Sequence, residues 1–198
     1  MKKAGIIVGI VLVCLLGIGG CFVGKYNSMV VAEEEVKQAW SQVENVYQRR
    51  MDLIPNLVAT VKGYAKHEED VLAKVVEARS KAGGVLQVSD EVLNNPESFE
   101  RFQKAQGELS SALQRLLSVS EAYPDLKANE NFMALQSQLE GTENRITVER
   151  KKYNEVCTYY NTSIRVFPAS LLAGLFGFRP KPYFTAQEGA DTAPKVEF

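Results

Sequence analysis

The residues of this chain that could do chemistry are few, and their spacing fits no catalytic or metal-binding plan. His67 is the one histidine. His67-Glu68 begins like a zinc-protease helix, but Val71 stands where that motif needs its second histidine. A di-iron bundle needs two Glu-x-x-His motifs, and a structural zinc site needs four Cys or His ligands. We therefore predict no metal site, no cofactor and no catalytic residue, and we predict that the protein is not an enzyme.

The cysteines predict no internal disulfide in the body of the chain. Cys14 and Cys21 lie in an apolar N-terminal stretch, which leaves Cys157 alone in the remainder. Cys157 lies beside the apolar positions of a predicted helix, which favours a buried, inert thiol. An intermolecular disulfide is the alternative.

The charges predict solvated helix faces and no nucleic-acid partner. The formal net charge is −1, and lysines and arginines are interspersed with aspartates and glutamates. A nucleic-acid surface would show a basic stripe with interleaved aromatic residues, and none is present in the sequence.

The pattern of the N-terminal residues predicts a membrane anchor. Residues 4–23 carry no charge and follow two lysines. About 20 apolar residues form a helix of roughly 30 Å, the thickness of the hydrocarbon core of a bilayer. The lysines before this stretch and the acidic run 33–35 after it favour a cytoplasmic N-terminus, with the bulk of the chain outside the cytoplasm.

A lipoprotein signal is the rival interpretation of this stretch. Small residues precede Cys21, which cleavage would leave as a lipidated first residue. The apolar run is long for a signal peptide. Lys25 and Tyr26 also lie where interfacial anchors are expected. The pattern thus favours an uncleaved helix over residues 1–25.

The remaining chain predicts an all-α fold, in which the transmembrane helix is followed by an antiparallel bundle of long helices over residues 26–168. Apolar residues recur at alternating steps of three and four, the heptad spacing of helices packed on helices. Helices are predicted over 26 to about 82, 96 to about 122, and 128 to about 166, with a loop over 83–96. Asn95-Pro96 is a helix start, with asparagine as the N-cap.

Pro55 lies inside the first helix and either kinks it or reverses it. A reversal gives four helices of roughly matched length, whereas a kink keeps three long helices. The unbroken heptad phase favours the kink. A kinked stalk would expose an apolar face unless another chain covers it, so this interpretation predicts a homo-oligomer. The candidate oligomer face consists of Val36, Trp40, Val43 and Tyr47.

Three charged residues occupy heptad positions where apolar ones are expected: Arg50, Glu68 and Glu149. They either lie at the edge of the apolar stripe with their charges in water, or Arg50 pairs internally with Glu149 or Glu68 and fixes the helix register. Tyr153 and Tyr160 lie one heptad apart and are predicted in the core.

The C-terminal residues divide into two segments. Residues 169–184 are largely apolar but too short to span a bilayer. They either cap the core or contact the membrane surface or a partner. Residues 185–198 are polar and aperiodic and are predicted to be disordered.

These motifs together resemble the LemA family of bacterial membrane-anchored helical proteins, from Tyr26 to Phe184. The residues that carry the resemblance are Trp40, 49–50, 52–58, 63–64, 67–68, 78–79, 123–129, Phe132, Leu135, Glu143, Arg150, 153–154, 160–161, 167–168 and 177–178. The resemblance implies a single-pass protein of the bacterial cell membrane with an extracytoplasmic helical domain. The family's genes often adjoin those of membrane metalloproteases, which implies a role in envelope stress or quality control. Cys21 departs from the family pattern.

The sequence thus predicts a tethered scaffold or self-assembling protein whose partners are the membrane, further copies of itself and other envelope membrane proteins. The alternative is a module that binds a lipid or a peptide.

The mature N-terminus tests the anchor. We expect mass spectrometry of the purified chain to find residues 1–25 intact, because an uncleaved span is favoured. A chain that begins at an acylated Cys21 would contradict the transmembrane interpretation.

Overall fold

A computed structural model describes residues 2–86 and 89–186 and is all-helical over them, as predicted, with no strand in these ranges. The helices are α1 (Lys2–Tyr64), α2 (Glu69–Leu86), α3 (Ser89–Asn94), α4 (Pro96–Val119), α5 (Pro124–Lys127), α6 (Glu130–Ser163) and α7 (Ala169–Phe176), with a short 3-10 turn at Ser120–Ala122. Helix α2 continues through Gly83, and α3 occupies part of the predicted loop 83–96.

Helix α1 joins an apolar N-terminal part to the bundle without a break. It has 63 residues, about 95 Å at the usual rise per residue. The apolar side chains of its first part, such as Ile10 and Leu16, are more than half exposed. This part is long and apolar enough to cross a membrane. The helix therefore fits a membrane anchor that continues directly into the folded domain.

The chain reverses at residues 65–68 and not at Pro55. Pro55 lies on an exposed face of α1, and the helix continues past it to Tyr64. Helix α2 then begins with Glu69 and Asp70 in its first turn, where acidic side chains interact favourably with the helix dipole. The first helix continues through Pro55, so a reversal at the proline is wrong. It ends at Tyr64 and not near residue 82, so the bundle has four long helices and not three.

Helix α6 runs antiparallel to α1 along most of the part beyond the apolar stretch. The contacts that show this are Tyr64–Asn129 (2.9 Å between Oη and Nδ2), Arg50–Glu143 (2.6 Å between Nη1 and Oε1) and Trp40–Tyr153 (5.5 Å between ring centroids). Successive contacts are separated by equal numbers of residues on the two helices. One register therefore holds over this length, while α2 and α4 form the second pair of the bundle.

This packing covers the candidate oligomer face within one chain. Val36, Trp40, Val43 and Tyr47 are between 0% and 3% exposed. The prediction that a second copy must cover them is wrong. Helix α6 has 34 residues, about 50 Å, which is long enough to cover α1 down to the apolar stretch.

The core consists of two hydrophobic clusters. The anchor-proximal cluster surrounds Trp40 and includes Met29, Val36, Val43, Phe99, Phe102, Tyr153, Cys157, Tyr160 and Phe184. The distal cluster surrounds Leu57 and includes Ile54, Val61, Val75, Leu109, Leu113, Leu116, Phe132 and Leu139. Arg50 lies on α1 between Tyr47 of the first cluster and Met51 of the second.

The helix starts follow ordinary capping chemistry. The Asn95 side chain accepts hydrogen bonds from the backbone N–H groups of Glu97 at 2.9 Å and Ser98 at 3.4 Å, which confirms the predicted N-cap. Asn129 caps α6 in the same way through Phe132.

An arginine from α2 compensates for the proline in α1. Proline has no N–H, so the carbonyl four residues earlier, that of Met51, loses its partner within the helix. Arg79 Nε donates to this Met51 oxygen at 3.0 Å. Buried carbonyl groups need such a partner. Pro55 therefore creates an acceptor on α1 that α2 uses, and the two helices are joined there.

We expect Pro55 and Arg79 to be energetically coupled. Pro55→Ala should raise the free energy of unfolding by about 1–3 kcal/mol, because it restores a donor for Met51. Arg79→Met should cost about 1 kcal/mol in the native chain and clearly less beside Pro55→Ala. Denaturant unfolding of the full chain in detergent, followed by the fluorescence of the single tryptophan, Trp40, measures these values.

Lys74→Met is the control, since Lys74 is an exposed cation on the same helix. It should have the same small effect in both backgrounds. Equal losses from Arg79→Met in the two backgrounds would contradict the coupling.

Candidate functional site

A buried arginine and three polar side chains form a layer between the two hydrophobic clusters. Arg50 is 1% exposed. Its Nη1 donates to Glu143 Oε1 at 2.6 Å and to Ser110 Oγ at 2.8 Å, and its Nη2 donates to the side-chain oxygen of Gln106. The arginine on α1 thus contacts α4 and α6 at once. We call Arg50, Gln106, Ser110 and Glu143 the polar layer.

The structure gives Arg50 a different carboxylate from the two predicted ones. Glu149 pairs with Lys152 on its own helix at 2.8 Å. Glu68 lies in the reversal after α1 and accepts a hydrogen bond from the Tyr123 hydroxyl at 3.2 Å. Both predicted pairings are wrong, because the antiparallel register places Glu143 opposite Arg50. The register role of Arg50 stays a prediction.

The burial of the two charges in the layer is unequal. The Glu143 side chain is 44% exposed, whereas that of Arg50 is 1% exposed. The guanidinium also lies over the Tyr47 ring, 5.1 Å from its centroid. Burial raises the pKa of Tyr47 above its ordinary value, so this hydroxyl stays neutral. Arg50 Nε and Gln106 Nε2 are buried with no hydrogen-bond partner among the described residues.

The polar layer opens into a groove between α4 and α6. Its volume is about 660 Å³, within the range of small-molecule sites. Arg50 and Glu143 lie at its base, and the segment 182–186 forms one edge. Its charged lining residues are of both signs: Arg50, Glu100, Lys104, Glu143 and Arg150. The groove could hold a small ligand or an extended peptide, and it shows no dominant charge that would select one.

Two asparagines of α6 hold the C-terminal segment against the bundle. Asn161 accepts from the backbone N–H of Lys181 at 2.8 Å and donates to its carbonyl at 2.9 Å. Asn154 does the same with Phe184, at 2.9 Å for both bonds. The two asparagines are one heptad apart, so they bind successive parts of the segment from one face. The repeated Tyr-Asn dipeptides at 153–154 and 160–161 are the sequence signal for this clamp.

An ion pair secures the same segment to α1. Lys181 is 5% exposed, and its Nζ lies 2.8 Å from Glu33 Oε1 and 2.7 Å from Asn94 Oδ1. This cation also lies 5.8 Å from the centroid of the Tyr160 ring. This pair could not be predicted from the sequence, because Lys181 lies in an aperiodic segment.

Phe184 places the segment in the core. Its ring lies between 4.9 and 6.4 Å from the rings of four other aromatic residues: Trp40, Phe99, Phe102 and Tyr153. Residues 179–186 are therefore part of the bundle. Residues 185–198 are predicted to be disordered, and residues 187–198 of this range lie outside the described residues. The backbone of Thr185 donates a hydrogen bond to Gln103 and accepts one from Arg150.

Tyr153, Tyr160 and Cys157 are buried in the anchor-proximal cluster. The Tyr153 hydroxyl donates to the Pro182 carbonyl at 3.1 Å, and burial raises the pKa of both tyrosines. Burial also raises the pKa of the Cys157 thiol to about 11. Since the thiolate is the reactive form, this cysteine is inert at neutral pH. Among the described residues, no group of three or more His, Cys, Asp or Glu side chains could hold a metal ion.

These features define a class of protein, an antiparallel helical bundle whose first helix begins with an apolar stretch of membrane-spanning length. A family model described as the LemA family matches residues 39–198, and the chain belongs to this family.

Three relatives are similar to this chain over most of its length. Magnetosome protein MamQ 2 of Paramagnetospirillum magneticum is 27% identical, over 85% of this chain and 67% of the relative. Magnetosome protein MamQ of Magnetospirillum gryphiswaldense is 26% identical, over the same shares. Protein LemA of Metamycoplasma hominis is 23% identical, over 84% of this chain and 72% of the relative. None of these names states a reaction.

The polar layer predicts that substitutions of Arg50 and Gln106 have coupled effects on the free energy of unfolding. Arg50→Met should leave helix content unchanged but lower the free energy of unfolding by about 1–3 kcal/mol, because Gln106 loses a buried partner. The loss should stay below the 3–5 kcal/mol typical of broken buried pairs, since Glu143 reaches water. Gln106→Leu should destabilise the native chain but stabilise the Arg50→Met chain. Circular dichroism and denaturant unfolding measure both effects.

Glu149→Leu is the matched control, because Glu149 pairs only locally in the described structure and such surface pairs contribute little. A change of sign for Gln106→Leu is the decisive result. If Gln106→Leu costs the same in both chains, the layer does not act as a unit.

Proposed function

We propose that this protein is a tethered extracytoplasmic scaffold of the bacterial envelope, and that it is not a catalyst. The supporting observation is the unbroken helix α1, which runs from the apolar stretch into the core of the bundle. No linker separates the two, so the bundle's exposed faces would have a fixed height and direction above the membrane. An enzyme that acts on diffusing substrates has no need of this constraint, whereas a protein that positions neighbours does.

The family relationship supports an envelope role. The MamQ relatives are magnetosome proteins by name. We infer for this chain only the shared plan of an anchored helical bundle that contacts other envelope proteins or further copies of itself. Any self-association must use a surface other than the Val36–Tyr47 face, which is buried within the chain.

A module that binds a peptide is the second candidate, favoured by the groove between α4 and α6. One edge of this groove is already a non-helical stretch of the chain, residues 182–186. The charges of both signs along it suit a peptide with mixed charge better than a lipid tail.

One experiment tests orientation and scaffolding together. Single cysteines at Glu108 on α4 and Val148 on α6, both exposed, are introduced with Cys14 and Cys21 changed to serine. A membrane-impermeant maleimide with a photoreactive group is then added to intact spheroplasts. We expect both positions to be labelled before lysis and to form discrete cross-linked products on illumination. Copies with two different tags show whether the product is a second copy.

The outcomes separate the candidates. Labelling only after lysis would contradict the extracytoplasmic orientation. Labelling without products at either position would overturn the scaffold. A third single-cysteine variant, Lys104→Cys, places the label in the groove. Cross-linked products that form only with this variant would favour the binding module. A flexible Gly-Ser insert after Lys25 is the control, and it should abolish the products of a scaffold that needs a rigid tether.

A further inference from the structure

Helix α7 presents an apolar surface at the point where α1 leaves the membrane-length stretch. The side of α7 that faces the bundle is built from Ala169 and Ala173, which are 2% and 5% exposed. The other side exposes Leu171 and Leu175, at 62% and 76%. A helix that is apolar on all sides is normally buried on all sides. The outer surface of α7 therefore lacks a covering within the described part of the chain.

The position of this surface relative to the anchor is fixed by Tyr26. The Tyr26 ring packs against Phe176 and Phe178, with centroid distances of 4.8 and 5.8 Å. Tyr26 lies less than one helical turn beyond the last apolar residues of the stretch, which end at Val23 and Gly24. Because α1 is continuous there, α7 lies beside the level at which the helix leaves the hydrocarbon and enters the headgroup layer. Aromatic residues are enriched at this level.

The exposed charges on the segment that carries α7 are basic. Between Val156 and Gln187 the sequence contains no aspartate or glutamate. Arg165 and Arg179 flank the helix and are exposed, whereas Lys181 is occupied by Glu33. Exposed leucines and phenylalanines flanked by arginines form the pattern of helices that lie in the membrane interface.

We infer that α7 and Phe167 form a second membrane contact, which inserts into the outer-facing headgroup layer of the bilayer that holds α1. Phe167 is 82% exposed at the start of this region. This inference rests on the proposed membrane tether. With two contacts, the bundle would be held against rotation about the α1 axis, which a single helical anchor does not prevent. The bilayer is the occupant that the structure favours over a second copy, because the apolar surface is continuous through Tyr26 with the span itself.

Fluorescent labelling of the full chain in vesicles tests this contact. The chain is reconstituted in vesicles of phosphatidylcholine and phosphatidylglycerol, with Cys14 and Cys21 changed to serine and an environment-sensitive dye on Leu175→Cys. We expect blue-shifted emission that is lost when the vesicles contain lipids with a nitroxide near the headgroup. A nitroxide near the end of the acyl chain should quench less. Leu175 is exposed, so the substitution leaves the core intact, and Trp40 emission checks the fold.

Two control positions make the outcomes distinct. Val148→Cys is an exposed apolar position on α6 far from the span, and its dye should be quenched by aqueous iodide and not by lipid. Leu12→Cys lies within the span and should be quenched most by the deep nitroxide. If lipid nitroxides quench the dye at position 12, but the dye at position 175 behaves like the one at position 148, the second contact is overturned and the tether stands. If Leu12 is not quenched either, the tether itself fails. Protection of Leu175 from iodide without lipid quenching would indicate a second copy and would also overturn the inference.

Discussion

The pairing of Arg50 with Glu143 is the contact on which we expect the register of the bundle to depend. A stripe of leucines and valines permits α1 and α6 to slide past each other by whole heptads at modest cost, because one apolar layer resembles the next. A buried guanidinium does not permit this, since its charge and donors need specific acceptors at one position. Gln106 and Ser110 extend the same requirement to α4. We therefore expect a single residue on α1 to set the register of two other helices, between the hydrophobic clusters on either side of it.

Pro55 illustrates how a locally unfavourable residue becomes a tertiary contact. In an isolated helix its missing N–H would leave the Met51 carbonyl unpaired. In the folded chain Arg79 donates a hydrogen bond to that carbonyl. The unpaired acceptor in α1 therefore becomes a contact with α2. The exposed position of Pro55 keeps its ring out of the core. The cost of the proline is therefore offset in part by a residue that lies on another helix.

The sequence was sufficient for features that depend on nearby residues. The heptads predicted the helices, Asn95 predicted a cap, and Tyr153 and Tyr160 lie in the core as expected. Features that depend on distant residues were not accessible. The sequence favours one helix that is kinked at Pro55 and continues to about residue 82, and it misses the reversal at 65–68, which contains no proline or glycine. It pairs Arg50 with Glu149 or Glu68, because heptad positions do not give the lateral register between helices. For residues 169–184 the sequence leaves open a cap on the core and a contact with the membrane or a partner, because the segment has no periodicity. The Tyr-Asn repeat on α6 is nevertheless a sign of the clamp that holds it.

The polar contacts that hold the bundle together are unevenly distributed along its length. The clamp by Asn154 and Asn161 holds the C-terminal segment on the anchor-proximal half, and the Lys181–Glu33 pair ties it to α1 close to the apolar stretch. Hydrogen bonds and ion pairs between elements are thus most numerous near the anchor, where α7 also packs. The distal half is held by apolar contacts, by the Arg79 bond, and by the Asn129–Tyr64 and Tyr123–Glu68 hydrogen bonds. A tilt of the apolar stretch would therefore move the anchor-proximal half as one body with α1.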